Sequence, residues 1–183
     1  EDLARFTLLA ELDDLDAEST ARLRGRLRQV VADQAQAPRV RGAALAALGY
    51  FSDVATAELL AAGFSDPDLR PGAVRGMGRS ADPRWTDRLM PVLGSEDPQL
   101  RREAALALGE IEDERAVTPL VELVDDPEEE VRVAVIEALG HIGGEEAREA
   151  LLYVAEAAED QTRAAAERAL EEIEAAEGDP LDL

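Results

Sequence analysis

A repeat constrains this chain more than any other feature. A Val/Leu–Arg pair recurs at Val40-Arg41, Leu69-Arg70, Leu100-Arg101 and Val131-Arg132, with Thr162-Arg163 as a weaker fifth copy. The arginines step by 29, 31, 31 and 31 residues. Seven residues after each stands Leu48, Met77, Leu108, Leu139 or Leu170, and a glycine follows the first four: Gly49, Gly78, Gly109 and Gly140. Asp53, Asp82 and Asp113 lie four residues beyond the first three glycines, and Gly144 replaces the fourth. A fixed period near 30 residues means one supersecondary unit copied in series, each copy too small to bury its own apolar face.

Each mark has a mechanical reading. Asp66-Pro67, Asp97-Pro98 and Asp126-Pro127 place a capping side chain before a residue that suits a first helical turn. Leu100, Ala104, Ala105 and Leu108 then form one apolar stripe, which Val131, Val135, Ile136 and Leu139 repeat. Gly109 is read as the left-handed residue that ends the helix. Asp113 is read as the cap of a second helix with the stripe Val117, Leu120, Val121 and Val124. The second-helix leucines also align, at Leu60, Leu89, Leu120 and Leu151. The unit is a helical hairpin, and the fold class is all-α. In the second copy Pro71, Gly72 and Gly76 fall inside the expected helix, so it should start late, near Arg70, or be weak.

The pattern Asp-Pro-x-x-(Val/Leu)-Arg-x-x-Ala-x-x-x-Leu-Gly resembles the HEAT-like repeat class, and in particular the short HEAT-like repeats named after phycobilin lyases. The resemblance covers residues 37–177. It implies a right-handed α-α superhelix, a HEAT-like solenoid of stacked hairpins. The expected organisation is a divergent N-terminal hairpin at 1–36, four repeats over 37–157 (about 37–65, 66–96, 97–125 and 126–157), a capping helix at 158–177 and a tail at 178–183. Within the N-terminal hairpin, Leu8, Leu12 and Leu15 suggest one helix. Leu23, Leu27, Val30 and Val31 suggest a second, with Asp16 as its cap.

Composition narrows the chemistry. The chain has 183 residues, no Cys and one His, and all of its 19 basic residues are Arg. That excludes disulfides, thiolate zinc sites, Cys nucleophiles and any multi-histidine metal centre. Against them stand 41 acids, for a net charge of -22. Such a charge repels nucleic acid and anionic membranes. An acid-rich chain without Lys resembles proteins of salt-loving archaea, so a halophilic source and a cytoplasmic location are expected. The first residue is Glu1 rather than Met, read as a processed or trimmed form. No apolar run approaches the ~18 residues of a membrane span. Charge is uneven: residues 21–109 carry net +3, whereas 110–183 carry 24 acids and five Arg, net -19.

No catalytic, cofactor or metal site is expected. The repeated Arg reads as a structural ladder to carboxylates of neighbouring loops, the Asp53, Asp82 and Asp113 series. His141 reads as a turn residue. Asp125-Asp126 and Glu128–Glu130 read as solvated acids at a helix start. Trp85 stands in a column otherwise held by Thr56, Ala116 and Ala147. It is either packed into room left by Gly72 and Gly76 or an exposed aromatic anchor. In HEAT-like arrays the second helices line the concave, partner-binding face. Spacing puts Arg84, Trp85, Arg88, Arg115, Glu122 and Tyr153 on it, and Arg22 and Arg26 extend its basic end. The expectation is non-catalytic protein binding by an adaptor or scaffold, with an acidic protein partner at the Arg patch. The alternatives are a subunit of a bilin-lyase-like or other enzyme complex, and a taxis or signalling adaptor.

Overall fold

The computed structural model describes residues 16–51, 53–158 and 161–177, all of them helical or in turns among helices. The expected helix through Leu8, Leu12 and Leu15, and the tail at 178–183, lie outside the described residues. The chain begins with α1 (Ala17–Ala32), whose N-terminal amides are met by the carboxylate of Asp16, bonded to the Ser19 amide at 2.7 Å. Then come α2 (Pro38–Leu48), α3 (Val54–Ser65), α4 (Arg70–Arg79), α5 (Thr86–Leu89), α6 (Pro98–Ile111), α7 (Val117–Val121), α8 (Glu129–Ile142), α9 (Glu145–Ala157) and α10 (Gln161–Glu177).

The first helices of successive hairpins stack in chain order, α2 on α4, α4 on α6, α6 on α8 and α8 on α10, with α1 against α2. The two leucine columns read from the sequence fill the seam between first and second elements. Leu48, Met77, Leu108 and Leu139 are fully buried, and so are Leu60, Leu89, Leu120 and Leu151. Each residue touches neighbours in its own hairpin and the next, so burial is shared along the array.

The repeated glycine ends its helix only in the first copy, where Gly49 closes α2 in a right-handed conformation. Gly78, Gly109 and Gly140 all lie within α4, α6 and α8. A Cβ added to Gly78 would stand 2.6 Å from the Cα of Ala107, and one on Gly109 2.7 Å from that of Ala138. Gly140 meets Ala169 in the same way. The glycine is there because two helix backbones touch at that point. The left-handed residue comes three positions later, at Ala81 (φ 48), Glu112 (φ 57) and Gly143 (φ 69). Glu112, not Gly109, closes α6. Only the fourth hairpin puts glycine where the backbone favours it, and Gly144 (φ 87) continues that turn.

The glycine-rich second copy follows the same logic. α4 starts at Arg70, late as the sequence predicts. Gly72 lies against the backbone of Gly42, and Gly76 against Leu60 and the Leu45 carbonyl. These glycines admit α2 and α3, so they do not make room for Trp85. Second elements differ too. α3 and α9 are regular helices, but hairpin two runs as a 3₁₀ turn at Pro83–Trp85, then α5, then a 3₁₀ stretch at Met90–Gly94. Hairpin three has a 3₁₀ turn at Glu114–Ala116 before α7. Pro91 and Pro119 explain the breaks, since an interior proline removes an amide and crowds the carbonyl four residues back.

The repeated Arg ties loops through carbonyls. Arg70 donates to the Phe64 carbonyl at 2.9 Å, Arg101 to that of Ser95 at 2.9 Å and Arg132 to that of Asp126 at 2.9 Å. Each reaches six residues back and pins the end of the preceding second element. The Asp53, Asp82 and Asp113 series is not its partner, because those carboxylates cap their own second elements. Arg101 adds a carboxylate, gripping Asp126 at 2.7 and 2.8 Å. Asp126 is therefore buried at 8% exposure rather than solvated.

Candidate functional site

Asp82 sets the geometry of the candidate face. Its carboxylate accepts from the Arg84 amide at 3.0 Å and pairs with the Arg84 guanidinium. That hydrogen bond holds its carboxyl below the usual range. The turn so fixed drives Trp85 inward. Trp85 is 6% exposed, and with Phe51, Thr56 and Leu60 it borders a gap of only about 30 Å³. The exposed-anchor reading of Trp85 is thus corrected. An indole this size finds enough apolar surface only between hairpins one and two. Arg84 and Arg88 stay exposed, each with its Cζ 5.7 Å from the ring centroid. They cover the buried indole with two cations, an arrangement worth ~0.5–1 kcal/mol per contact at an exposed site.

Arg115 joins this cluster from hairpin three. It pairs with Asp87 at 2.7 Å and with Asp113 at 2.6 Å. Thr86 also donates to Asp113, at 2.7 Å. Hydrogen bonds from the Arg115 side chain, and then from Thr86, hold the Asp113 carboxyl at about 2 despite its burial. Arg115 is thus neutralised by two carboxylates, a clasp between hairpins rather than a free cation. Glu122 is exposed on the turn after α7, and Tyr153 is 56% exposed on α9 beside Leu152. None of the described contacts joins Glu122 or Tyr153 to the Arg cluster. At the basic end, Arg22 pairs with Glu18 and Arg26 is exposed, while Arg24 and Arg28 turn inward to Asp53.

Sequence reasoning missed two features. Arg88 also lies over Phe64, with Cζ 5.9 Å from its centroid, and Arg70 covers the same ring at 5.7 Å. The available signal was an aromatic at the end of a second helix. Glu103 is the other. It is buried within α6 and paired with Arg75 at 3.0 Å, in a repeat column otherwise held by small residues. Among the described residues no group of three or more His, Asp or Glu is arranged to hold a metal ion, and His141 is exposed. No described helix is long and apolar enough to cross a membrane.

A family model described as HEAT repeats matches residues 63–132 and 86–171, more than half of the chain. Comparison by sequence with curated proteins finds no match. Among solved structures, a chain in the complex of CpcE and CpcF of phycocyanin lyase from Nostoc sp. PCC7120 is similar, at 24% identity and a TM-score of 0.67. That likeness covers 80% of this chain and 64% of the other, so the match spans less than two thirds of the lyase chain. A designed armadillo repeat protein in complex with the peptide (KR)4 aligns at 17% identity and a TM-score of 0.52, over 91% of this chain and 98% of that one. An engineered protein aligns at 19% identity and a TM-score of 0.51, over 92% and 96%. At these identities the likeness is one of fold: a helical solenoid of the HEAT and armadillo kind.

Proposed function

Because the chain belongs to the HEAT-repeat family, we propose that it is a non-catalytic protein-interaction scaffold whose partner docks across its second elements. One observation carries this reading: Arg88, and Arg84 held by Asp82, stand exposed over the buried Trp85 on a chain of net charge -22. Trp85 acts from beneath as support. Arg115 lends its position more than its charge, and Glu122 and Tyr153 extend the face towards the acidic end. The fitting partner is an acidic protein, which this patch attracts while the rest of the surface repels it. The acid-rich composition supports a salt-rich cell interior as the setting.

The test is capture of partners from the native cell in molar KCl by the parent chain and by a double charge reversal, Arg84→Glu with Arg88→Glu. Fold should be unchanged in the variant, since exposed substitutions usually shift stability by under ~0.5 kcal/mol. Proteins held by the parent and lost by the variant support the reading. An identical captured set at every salt concentration sinks it.

A second reading has its own support in the likeness to the lyase chain: this chain as one subunit of an enzyme complex. Activity that requires a second HEAT-like chain, or a bound tetrapyrrole seen by absorbance, would favour that reading over the scaffold.

A further inference from the structure

Along hairpin two, flanked by Phe64 of hairpin one and Leu100 of hairpin three, lies an open groove of about 450 Å³. Its walls are Phe64 at the end of α3, the segment Pro91–Ser95, and Leu100 on α6. Arg70 and Arg88 both line it, and both lie over the Phe64 ring. Among the described residues Arg22, Arg24, Arg28, Arg75, Arg84, Arg101, Arg102 and Arg115 pair with carboxylates, whereas Arg26, Arg39, Arg41, Arg79, Arg163 and Arg168 do not, so what distinguishes Arg70 and Arg88 is that they share one ring and one groove. Arg70 and Arg88 form no ion pair among the described residues. Arg70 spends its Nε on the Phe64 carbonyl. The one carboxylate at the rim, Asp87, faces Arg115 at 2.7 Å.

We infer that this groove is a docking site for a short acidic-aliphatic segment of a protein partner, with a Glu or Asp carboxylate between Arg70 and Arg88 and an adjacent aliphatic side chain against Pro91, Val92 and Leu100. Charge complementarity selects the occupant. Two guanidiniums line one groove beside the same ring without an ion pair, and a carboxylate there accepts charge-assisted hydrogen bonds from a guanidinium. The aromatic and aliphatic walls add an apolar contact beside the charge, which a bare anion cannot use. The volume is that of a small-ligand site, enough for two or three side chains. This deepens the scaffold reading and rests on it: the groove would be the part of the face that reads sequence, and the Arg84–Arg88 surface the part that steers.

The test uses the full chain and two fluorescein-labelled, capped hexapeptides, one of alternating Leu and Glu and one of alternating Leu and Gln. Fluorescence anisotropy at low ionic strength should show the Glu peptide binding at least about tenfold more tightly than the Gln peptide. Arg88→Gln should weaken the Glu peptide by a similar factor, and Val92→Ala should weaken the Glu and Gln peptides alike. Arg39→Gln, at an exposed Arg outside the groove, should leave Glu-peptide binding within about twofold. Thermal midpoints equal to the parent's keep a folding defect from passing as a binding defect. Val92→Ala trims the apolar wall without adding a charge beside either Arg. Succinate should compete only weakly. If the Glu peptide binds no better than the Gln peptide, or Arg88→Gln binds it as the parent does, the proposal falls. If succinate binds as tightly as the peptide, the groove is a small-anion site and the peptide assignment falls. A native partner captured by the parent and still held by Arg88→Gln would leave the scaffold reading standing and remove the groove. Peptide binding without any captured partner would do the reverse.

Discussion

At the scale of single residues, the repeated glycine separates a local role from a tertiary one. Gly109 touches Ala138, so a side chain there must push α6 and α8 apart. Gly109→Ala should therefore destabilise the fold by ~1–3 kcal/mol, as overpacking does. Gly25, in the middle of α1, has nothing within 4 Å of an added Cβ. Gly25→Ala should stabilise by about 0.5–1 kcal/mol, because only helix propensity is at stake. Urea unfolding of the two variants checks the opposite signs, and equal signs would contradict the close approach. Trp85 offers a second case. Its burial predicts that Trp85→Ala costs ~3–5 kcal/mol. An unchanged midpoint would return the ring to the surface. The ring's place was left open by the sequence, because a large side chain in a column of small ones fits both a pocket and an interface.

Among elements, the hairpins are joined by polar clasps as well as by leucines. The clasp of Arg115, Thr86 and Asp113 links hairpins two and three and caps α7's approach turn. Its carboxyl sits at about 2, below the ordinary unfolded value near ~3.9. A depressed folded pKa stabilises above the unfolded pKa, and that contribution is lost as pH falls through the folded one. Thermal midpoints should therefore drop between about pH 4 and pH 2. Asp113→Asn should start lower at neutral pH and show a shallower drop over that window. Asp82 and Asp126 are depressed in the same direction, by hydrogen bonds from Arg84 and Arg101, so some slope should remain in the variant. Asp66 and Asp126, read as caps from the same spacing as Asp97, cap no helix, since α4 starts behind Leu69 and α8 behind Glu128, while Asp53, read as a partner of the repeated Arg, caps α3. The caps at Asp16, Asp97 and Asp113 were legible from spacing, because a cap is a local bond three residues long or shorter. The partners of the repeated Arg were not, since a guanidinium reaches several loop groups and only packing chooses among them.

The whole molecule carries its charge unevenly, with net -19 on residues 110–183. The described part of this segment, 110–158 and 161–177, forms the last stacked helices, so like charges there are held close together along the array. Screening shortens from ~30 Å at 0.01 M salt to ~3 Å at 1 M. The thermal midpoint should rise markedly from low salt to molar KCl, measured by circular dichroism. A flat response would remove the argument from charge to a saline setting. The same screening weakens long-range steering of an acidic partner, so binding in molar salt would rest on direct contacts at Arg84 and Arg88 and in the groove.

Residue periodicity by itself determined that this chain is a stack of helical hairpins and which of the aligned leucines face inward. Those properties follow from spacing along one helix or between identical copies, and a repeat displays them several times over. Only the tertiary structure decided that the repeated glycine is a helix–helix contact, that Trp85 lies under two arginines, that Arg115 is neutralised, and that Arg70 and Arg88 meet at Phe64. Each of those depends on which surfaces of two hairpins touch. Contact across the stack is set by the angle and depth of packing, which no single helix encodes.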